Sequence, residues 1–279
     1  MNTKTSKRIR LTVSYLILLL AIAIVVYPVL WTIGSSFNPG NSLASSSMIP
    51  ENASLSHYKE LFAEDSHYLI WYWNTIKVSV LTMVFATIMI SLTAYAFSRY
   101  RFIGRKNGLI AFLILQMIPQ FIAIIAIYVL MSLLRMMDTH LGLILLYTGG
   151  LIPMNTWLAK GYFDTIPREL DESARMDGAG HFRIFWQIIM PLAKPILAVV
   201  ALFSFITPFT EFILASLVLR SPEKMTLSVG LYKLISDPHA SKFTEFAAGS
   251  VLIAIPISIL FLSLQRYFVS GLTAGGTKG

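Results

Sequence analysis

Side chains able to do chemistry are sparse in this chain of 279 residues, and they stand far apart. Glu211 follows Thr207-Pro208-Phe209-Thr210 inside an apolar run, where an ionisable group is costly and functional by default. Two readings stay open for it: the proline releases backbone groups and the hydroxyls line a cavity, or the carboxylate pairs with a basic residue of a neighbouring subunit. Gln116-Met-Ile-Pro-Gln120 sets two amides about a helix-kinking proline. Such amides bond sugar hydroxyls, and they also join helices inside membranes. Lys77, near the end of another apolar run, is expected to snorkel to the interface. His181 has no second ligand at metal spacing, so no metal site is expected. The sequence contains no Gly-x-x-x-x-Gly-Lys-Ser/Thr, no His-Glu-x-x-His and no Gly-x-Ser-x-Gly, and it has no cysteine. The chain is therefore not expected to hydrolyse nucleotide, cleave a substrate or bind a cofactor itself.

These residues hang on an apolar scaffold. Hydrophobic residues make up 56% and charged residues only 13%, a balance that excludes an ordinary soluble domain. Crossing a bilayer as a helix takes about 20 apolar residues, and six stretches are long enough. They run from Leu11 to Ile33, Trp71 to Phe97, Gly108 to Leu134, Leu141 to Lys160, Ile196 to Leu219 and Phe246 to Phe268. The expectation is an all-α, polytopic membrane protein forming one transmembrane domain, 1–279. Gly149, Gly150 and Pro153 interrupt the fourth stretch, a break that protein neighbours can satisfy. The first stretch is longer than a signal-peptide core and no small-x-small site closely follows it, so it is expected to stay as a span.

Lysine and arginine collect on the cytoplasmic side, which places both termini inside. Lys4, Lys7, Arg8 and Arg10, then Arg99, Arg101, Arg105 and Lys106, then Arg168, Arg175, Arg183 and Lys194 all fall on that side. The net charge of +8 is thus a topology signal, and no single basic patch points to nucleic acid. Arg220, Lys224, Lys233 and Lys242 run against the rule, as solvated charges or as a partner contact. Trp71, Tyr72 and Trp73 read as an aromatic belt at the outer interface, with sugar stacking as the other use. The loop from Ser35 to Ile70 reads as irregular chain with a short helix from His57 to Glu64.

One polar segment, Glu169 to Pro191, lies between two apolar runs. Pro167 suits a first helical position, and Glu169, Asp171 and Glu172 favour the positive end of the helix dipole. Gly178 or Gly180 is expected to stop this helix. Phe182, Phe185, Trp186 and Ile189 then recur at helical spacing, and Pro191 is expected to end the second helix.

Glu172-Ser-Ala, Gly178 after three further residues, Ile188 and Pro191 together resemble the EAA signature of ABC importer membrane subunits. Ser173 stands for the first alanine and Met190 for the leucine before the proline. The resemblance extends to Trp71-Tyr-Trp-Asn-Thr, Ala94-Tyr-Ala-Phe-Ser-Arg-Tyr-Arg-Phe, Lys160-Gly-Tyr-Phe-Asp-Thr and the end of the chain. Together these look like the shorter permease subunit of maltose/maltodextrin importers. It implies a type I importer permease fold and import of an oligosaccharide, maltose/maltodextrin or another such as a galacto-oligosaccharide, by alternating access. An ion-coupled secondary carrier and a membrane scaffold are the other readings, and both leave the signature and the tail unexplained. The implied partners are a second, longer permease subunit, a cytoplasmic ATPase dimer that uses ATP and Mg, and an extracytoplasmic sugar-binding protein. The location implied is the bacterial cytoplasmic membrane. In this family the polar segment, about 161–195, docks into a cleft on the ATPase. That role would fall to Glu169, Glu172, Ser173, Ala174, Asp177, Gly178, Ile188 and Pro191, with Phe182 and Trp186 packing the helix pair back onto the membrane domain. The tail, about 269–279, would enter the ATPase dimer interface through Gly271, Leu272, Thr273, Ala274, Gly275, Gly276, Thr277, Lys278 and Gly279. The loop between the fifth and sixth spans would reach towards the sugar-binding protein.

Overall fold

A computed structural model of the chain describes the backbone of residues 3–41, 47–236 and 241–275, and side chains within these except 3–6, 120 and 268–275. Every regular element among the described residues is helical. Long helices are α1 (Thr3–Ser36), α3 (Tyr68–Arg99), α6 (His140–Asp164) and α13 (Phe243–Gly275), each apolar and long enough to cross a membrane. Shorter ones are α2 (Ser56–Leu61), α4 (Arg105–Met117), α5 (Gln120–Leu133), α7 (Glu169–Met176) and α8 (His181–Ile184). They are followed by α9 (Met190–Leu192), α10 (Lys194–Thr210), α11 (Ile213–Val218) and α12 (Leu227–Ser236).

Four of the six expected spans are single helices and the third is a bent pair. A second bent pair, His181–Leu192 with Lys194–Thr210, brings the number to six only by joining part of the polar segment to α10. The stretch from Gly108 to Leu134 is α4 and α5, bent by 103°. Ile118 and Pro119 are extended at the break, because a residue before proline is pushed out of the helical region. The stretch from Ile196 to Leu219 stops at Thr210, with Glu211 extended and α11 as a separate turn. In contrast, α6 runs unbroken through Gly149, Gly150 and Pro153. The Gln116 amide of α4 donates to Gly150 O at 3.4 Å, next to the carbonyl that Pro153 leaves without its helical donor. The short helix expected from His57 to Glu64 is α2, one residue earlier at its start and ending at Leu61.

The chain falls into two compact units. In the first, 1–68 with 231–254, the hydroxyl groups of Ser36 and Tyr58 lie 2.8 Å apart and His57 Nε2 is 2.8 Å from Asn38 O. Phe243 N–H donates to Asn41 O, and the buried Tyr68 hydroxyl to Gly249 O at 2.9 Å. These bonds fold the loop after α1 against the start of α13.

The second unit, 69–230 with 255–279, holds the polar segment. Its core gathers Ile90, Ala94 and Tyr95 of α3, Ala159 and Phe163 of α6, and Ile196 and Val200 of α10. Trp71 is no belt residue: it is buried over Gly230 and donates from Nε1 to Pro222 O at 2.9 Å, while Trp73 is exposed. Asn74 Nδ2 bonds Glu223 O and Met225 O, and Leu227 N–H bonds Thr75 Oγ1. The α3 sequence thereby ties down the segment from Pro222 to Gly230.

Candidate functional site

Helix α7 starts at Glu169, two residues past Pro167, with Glu169, Asp171 and Glu172 in its first turn. It ends as a Schellman motif: Ala179 N–H reaches Ala174 O and Gly178 N–H reaches Arg175 O, both at 2.9 Å. Gly178 takes φ +79°, the left-handed conformation the motif needs and a residue with Cβ resists. Of the two candidate stops, Gly178 is the one used. Ala179 packs beside Ala174 on the core, the apolar contact that accompanies this cap.

After Gly180, α8 continues through a π-helical turn, Phe185–Ile189, into α9. Pro191 therefore lies within the helix instead of ending it. A proline ring clashes with the carbonyl four residues back, and a widened turn there relieves the contact. The chain bends by 82° afterwards, between Leu192 and Lys194.

The expected aromatic stripe divides. Phe185 and Ile189 are buried with Ile184, but Phe182 is 75% and Trp186 44% exposed. Phe182 and Trp186 therefore do not pack the pair back onto the membrane helices. The inward face runs through Ile184, Phe185 and Ile189 instead. Glu169, Glu172, Ser173, Asp177, Gly178 and Pro191 are exposed, whereas Ala174 is buried and Ile188 half-buried against the core. Met176 is 88% exposed, so the outward surface has apolar residues among acidic ones.

What holds this segment was not singled out from the sequence. Asp171 shares the buried face of α7 with Ala174, three residues on, and its carboxylate lies 2.7 Å from Arg99 Nε at the end of α3. The approach is angled, so the contact is an ion pair without an aligned hydrogen bond at Nε. Arg99 also donates to Ile166 O at 2.9 Å. Arg105 donates to Phe97 O and Ser98 O, and Arg168 to Ser98 O. Arginines read only as topology markers thus cap the negative end of α3. Ser98 Oγ donates to Asp164 at 2.7 Å, and Lys160 pairs with the same carboxylate. The spacing of Asp171 to Ala174 is the one sequence signal that pointed to an inward acid.

A second arrangement lies along α6. Glu211 caps α11, accepting from Leu214 N–H at 2.8 Å and Ala215 N–H at 3.1 Å, and Tyr147 Oη donates to it at 2.9 Å. Its charge is met within the chain. Glu211, Tyr147, Thr207, Gln116, Gly149 and Gly150 line an open-sided cavity of about 560 Å³, together with apolar residues of α4, α5, α6 and α11. Gln120 starts α5, but its side chain lies outside the described residues. The tail is likewise beyond view: α13 runs to Gly275, the side chains of Leu272, Thr273 and Ala274 are outside the described residues, and so are Gly276–Gly279.

The basic loop is pinned. Asp138, at φ +56°, accepts from Arg220 N–H, Ser221 N–H, Ser221 Oγ and Lys224 Nζ. Arg220 reaches the Tyr128 hydroxyl at 3.0 Å, and His140 Nε2 lies 2.7 Å from Lys224 O. Arg220 and Lys224 are therefore engaged within the chain. The His181 ring lies tilted 5.4 Å from that of Tyr100, and no cluster able to hold a metal occurs among the described residues.

Residues 86–274 match the model of a family described as binding-protein-dependent transport system inner membrane component. The galactooligosaccharides transport system permease protein GanQ of Bacillus subtilis (strain 168) is 56% identical, the alignment covering 100% of this chain and 99% of that protein. The maltodextrin transport system permease protein MdxG of the same organism is 50% identical over the whole of both chains. Among solved structures, a bacterial ABC transporter involved in the import of the acidic polysaccharide alginate superposes with a TM-score of 0.78 at 27% identity, covering 94% of this chain and 98% of that one.

Proposed function

The chain belongs to the binding-protein-dependent transport system inner membrane component family, and on that premise we propose that it forms half of the translocation path for a maltodextrin-type oligosaccharide. It is a membrane-embedded transport subunit and not an enzyme. Its energy comes from ATP and Mg used by a separate cytoplasmic ATPase dimer. A longer permease subunit completes the path, and an extracytoplasmic sugar-binding protein delivers the solute. Both termini face the cytoplasm of a bacterial cell, and 1–279 acts as one transmembrane domain.

The observation that carries this reading is the build of the polar segment. Glu169, Glu172, Ser173, Asp177 and Gly178 present an outward face, and Met176, Phe182 and Trp186 supply exposed apolar area beside it. Exposed aromatic and methionine side chains next to polar ones are the composition of a docking surface. Inside, Asp171 and Ala174 fix the same helix to α3 and the core. ATP shifts the permease only as far as the ATPase binds its two states differently, so a rigid link from docked helix to spanning helix is what such coupling needs. Ala174, Ile188 and Pro191 serve this surface by shaping the segment beneath it. The tail from Gly271 to Gly279 is assigned a second contact with the same ATPase.

A galactooligosaccharide is the second reading, favoured by the 56% identity to a permease named for that solute. The test is reconstitution of the full complex with its binding protein in proteoliposomes. ATP-dependent uptake of maltodextrins over galactooligosaccharides is expected; the reverse preference selects the second reading. Uptake driven by an ion gradient without ATPase would refute both.

A further inference from the structure

We propose that this chain supplies its own contact for sugar hydroxyls in the cavity beside α6, at Glu211 and Gln116, with Gly149 and Gly150 leaving room for the ligand. The proposal rests on the oligosaccharide-importer reading above. A carboxylate offers about four acceptor positions. At Glu211 three are used: Oε1 takes the Leu214 N–H, and Oε2 takes the Ala215 N–H and the Tyr147 hydroxyl. One acceptor position is left, on Oε1, in a side chain held rigid from two elements. Gln116 adds an amide that makes, among the described residues, one long bond, to Gly150 O, and Thr207 adds a hydroxyl.

The lining contains no other acidic residue and no basic one. A cation would meet a single carboxylate already engaged by three donors, and an anion would meet no positive partner. A neutral ligand rich in hydroxyl groups fits, its C–H faces against the apolar lining and its hydroxyls on the few polar atoms. The volume of about 560 Å³ lies within the roughly 300–1,000 Å³ of small-molecule sites.

The paired glycines supply an independent argument. Glycine is unfavourable within a helix and is kept where something approaches closely. A Cβ built at Gly149 or Gly150 meets no atom of the described residues within 4 Å beyond its own stretch of helix. Their need for space therefore comes from outside the chain, either from the ligand or from a partner helix.

The deciding variants are Gly150→Ala, Gly150→Leu, Gly150→Trp and Gln116→Ala, since Glu211 also caps α11 and its loss would disturb the fold. They are measured in the reconstituted complex, with maltotriose and maltoheptaose as probes and sugar taken up per ATP hydrolysed as the readout. The expected result is a loss graded with side-chain size at Gly150, at least tenfold for Trp and steeper for maltoheptaose. Gln116→Ala is expected to raise KM about fivefold for both sugars. Uptake by Gly150→Trp equal to wild type overturns the subsite. Loss of the second permease subunit on purification of Gly150→Ala also overturns it, because a partner helix then occupies the space. A wild-type complex without ATP-driven uptake overturns the importer reading and the subsite with it.

Discussion

Arg99 Nε lies 2.7 Å from the Asp171 carboxylate, joining the end of the spanning helix α3 to the inward face of α7, with side-chain exposures of only 3% and 7%. Asp171 Oδ1 accepts no hydrogen bond among the described residues, so Arg99 is its main support. Removing one member of such a buried pair leaves an uncompensated charge and costs about 3–5 kcal/mol, whereas replacing both by apolar groups is often neutral. Asp171→Asn and Arg99→Met are each expected to lower thermal stability in detergent by that order. The double variant Arg99→Met/Asp171→Leu should recover most of the stability but not coupled transport, because the link between helices is gone. Full transport by the stable double variant would show that the pair only holds the fold.

Gly178 ends α7 at φ +79° with open space around it, so a substitution there is strained by backbone conformation and not by crowding. Gly178→Ala is expected to cost about 1–2 kcal/mol. Helix α7 should fray at its C-terminus, and ATPase subunits should co-purify in lower yield. Equal yield at equal expression would remove the cap from the docking surface.

Phe182 and Trp186 form an edge-on pair at 6.2 Å and stay exposed, so their truncation should leave the chain's own stability within about 0.5 kcal/mol. Docking is another matter. Trp186→Ala is expected to weaken ATPase binding by about 2 kcal/mol, or roughly 30-fold, as for an aromatic anchor in an interface. Unchanged affinity in a titration with the purified ATPase would place the interface elsewhere.

Asp138 makes the loop from Arg220 to Lys224 sensitive to acid. Burial alone raises its pKa, but donors from Ser221, Arg220 and Lys224 outweigh it and hold the carboxyl well below the usual carboxylate range. A depressed folded pKa means that the stabilisation is complete above the ordinary value near pH 4 and is lost as pH falls through the folded one. Asp138→Asn is expected to cost about 2 kcal/mol at pH 7, on the scale of hydrogen bonds to a charged group. The difference in Tm from the wild type should stay constant from pH 7 to pH 5 and shrink below about pH 4. A difference that grows on acidification would reverse the assignment.

Local signals were read well where the physics is local. The acidic first turn and the glycine stop of α7 are set by the dipole and by φ, which neighbouring residues reveal. The aromatic stripe was misread because spacing shows which side chains share a face but not which face meets the core, and the core takes Ile184, Phe185 and Ile189 while leaving Phe182 and Trp186 outside. Trp71 was misread for a different reason. An aromatic at a membrane end suggests a belt, but Gly230 opens a slot for it from a distant part of the chain. Arg99 counted as one more inside charge, since its specific role comes from Asp171 and Ile166 O, both distant in sequence.

Six apolar stretches of spanning length, the charge asymmetry between loops and the capped polar segment are determined by the sequence itself, because each is a property of contiguous residues in a bilayer or a helix. Tertiary structure alone decided that Glu211 is answered by Tyr147, 64 residues away. It likewise decided that Arg220 and Lys224 are held by Asp138 and Tyr128. Which buried charge meets which partner depends on how helices pack, and no spacing along one chain segment encodes that.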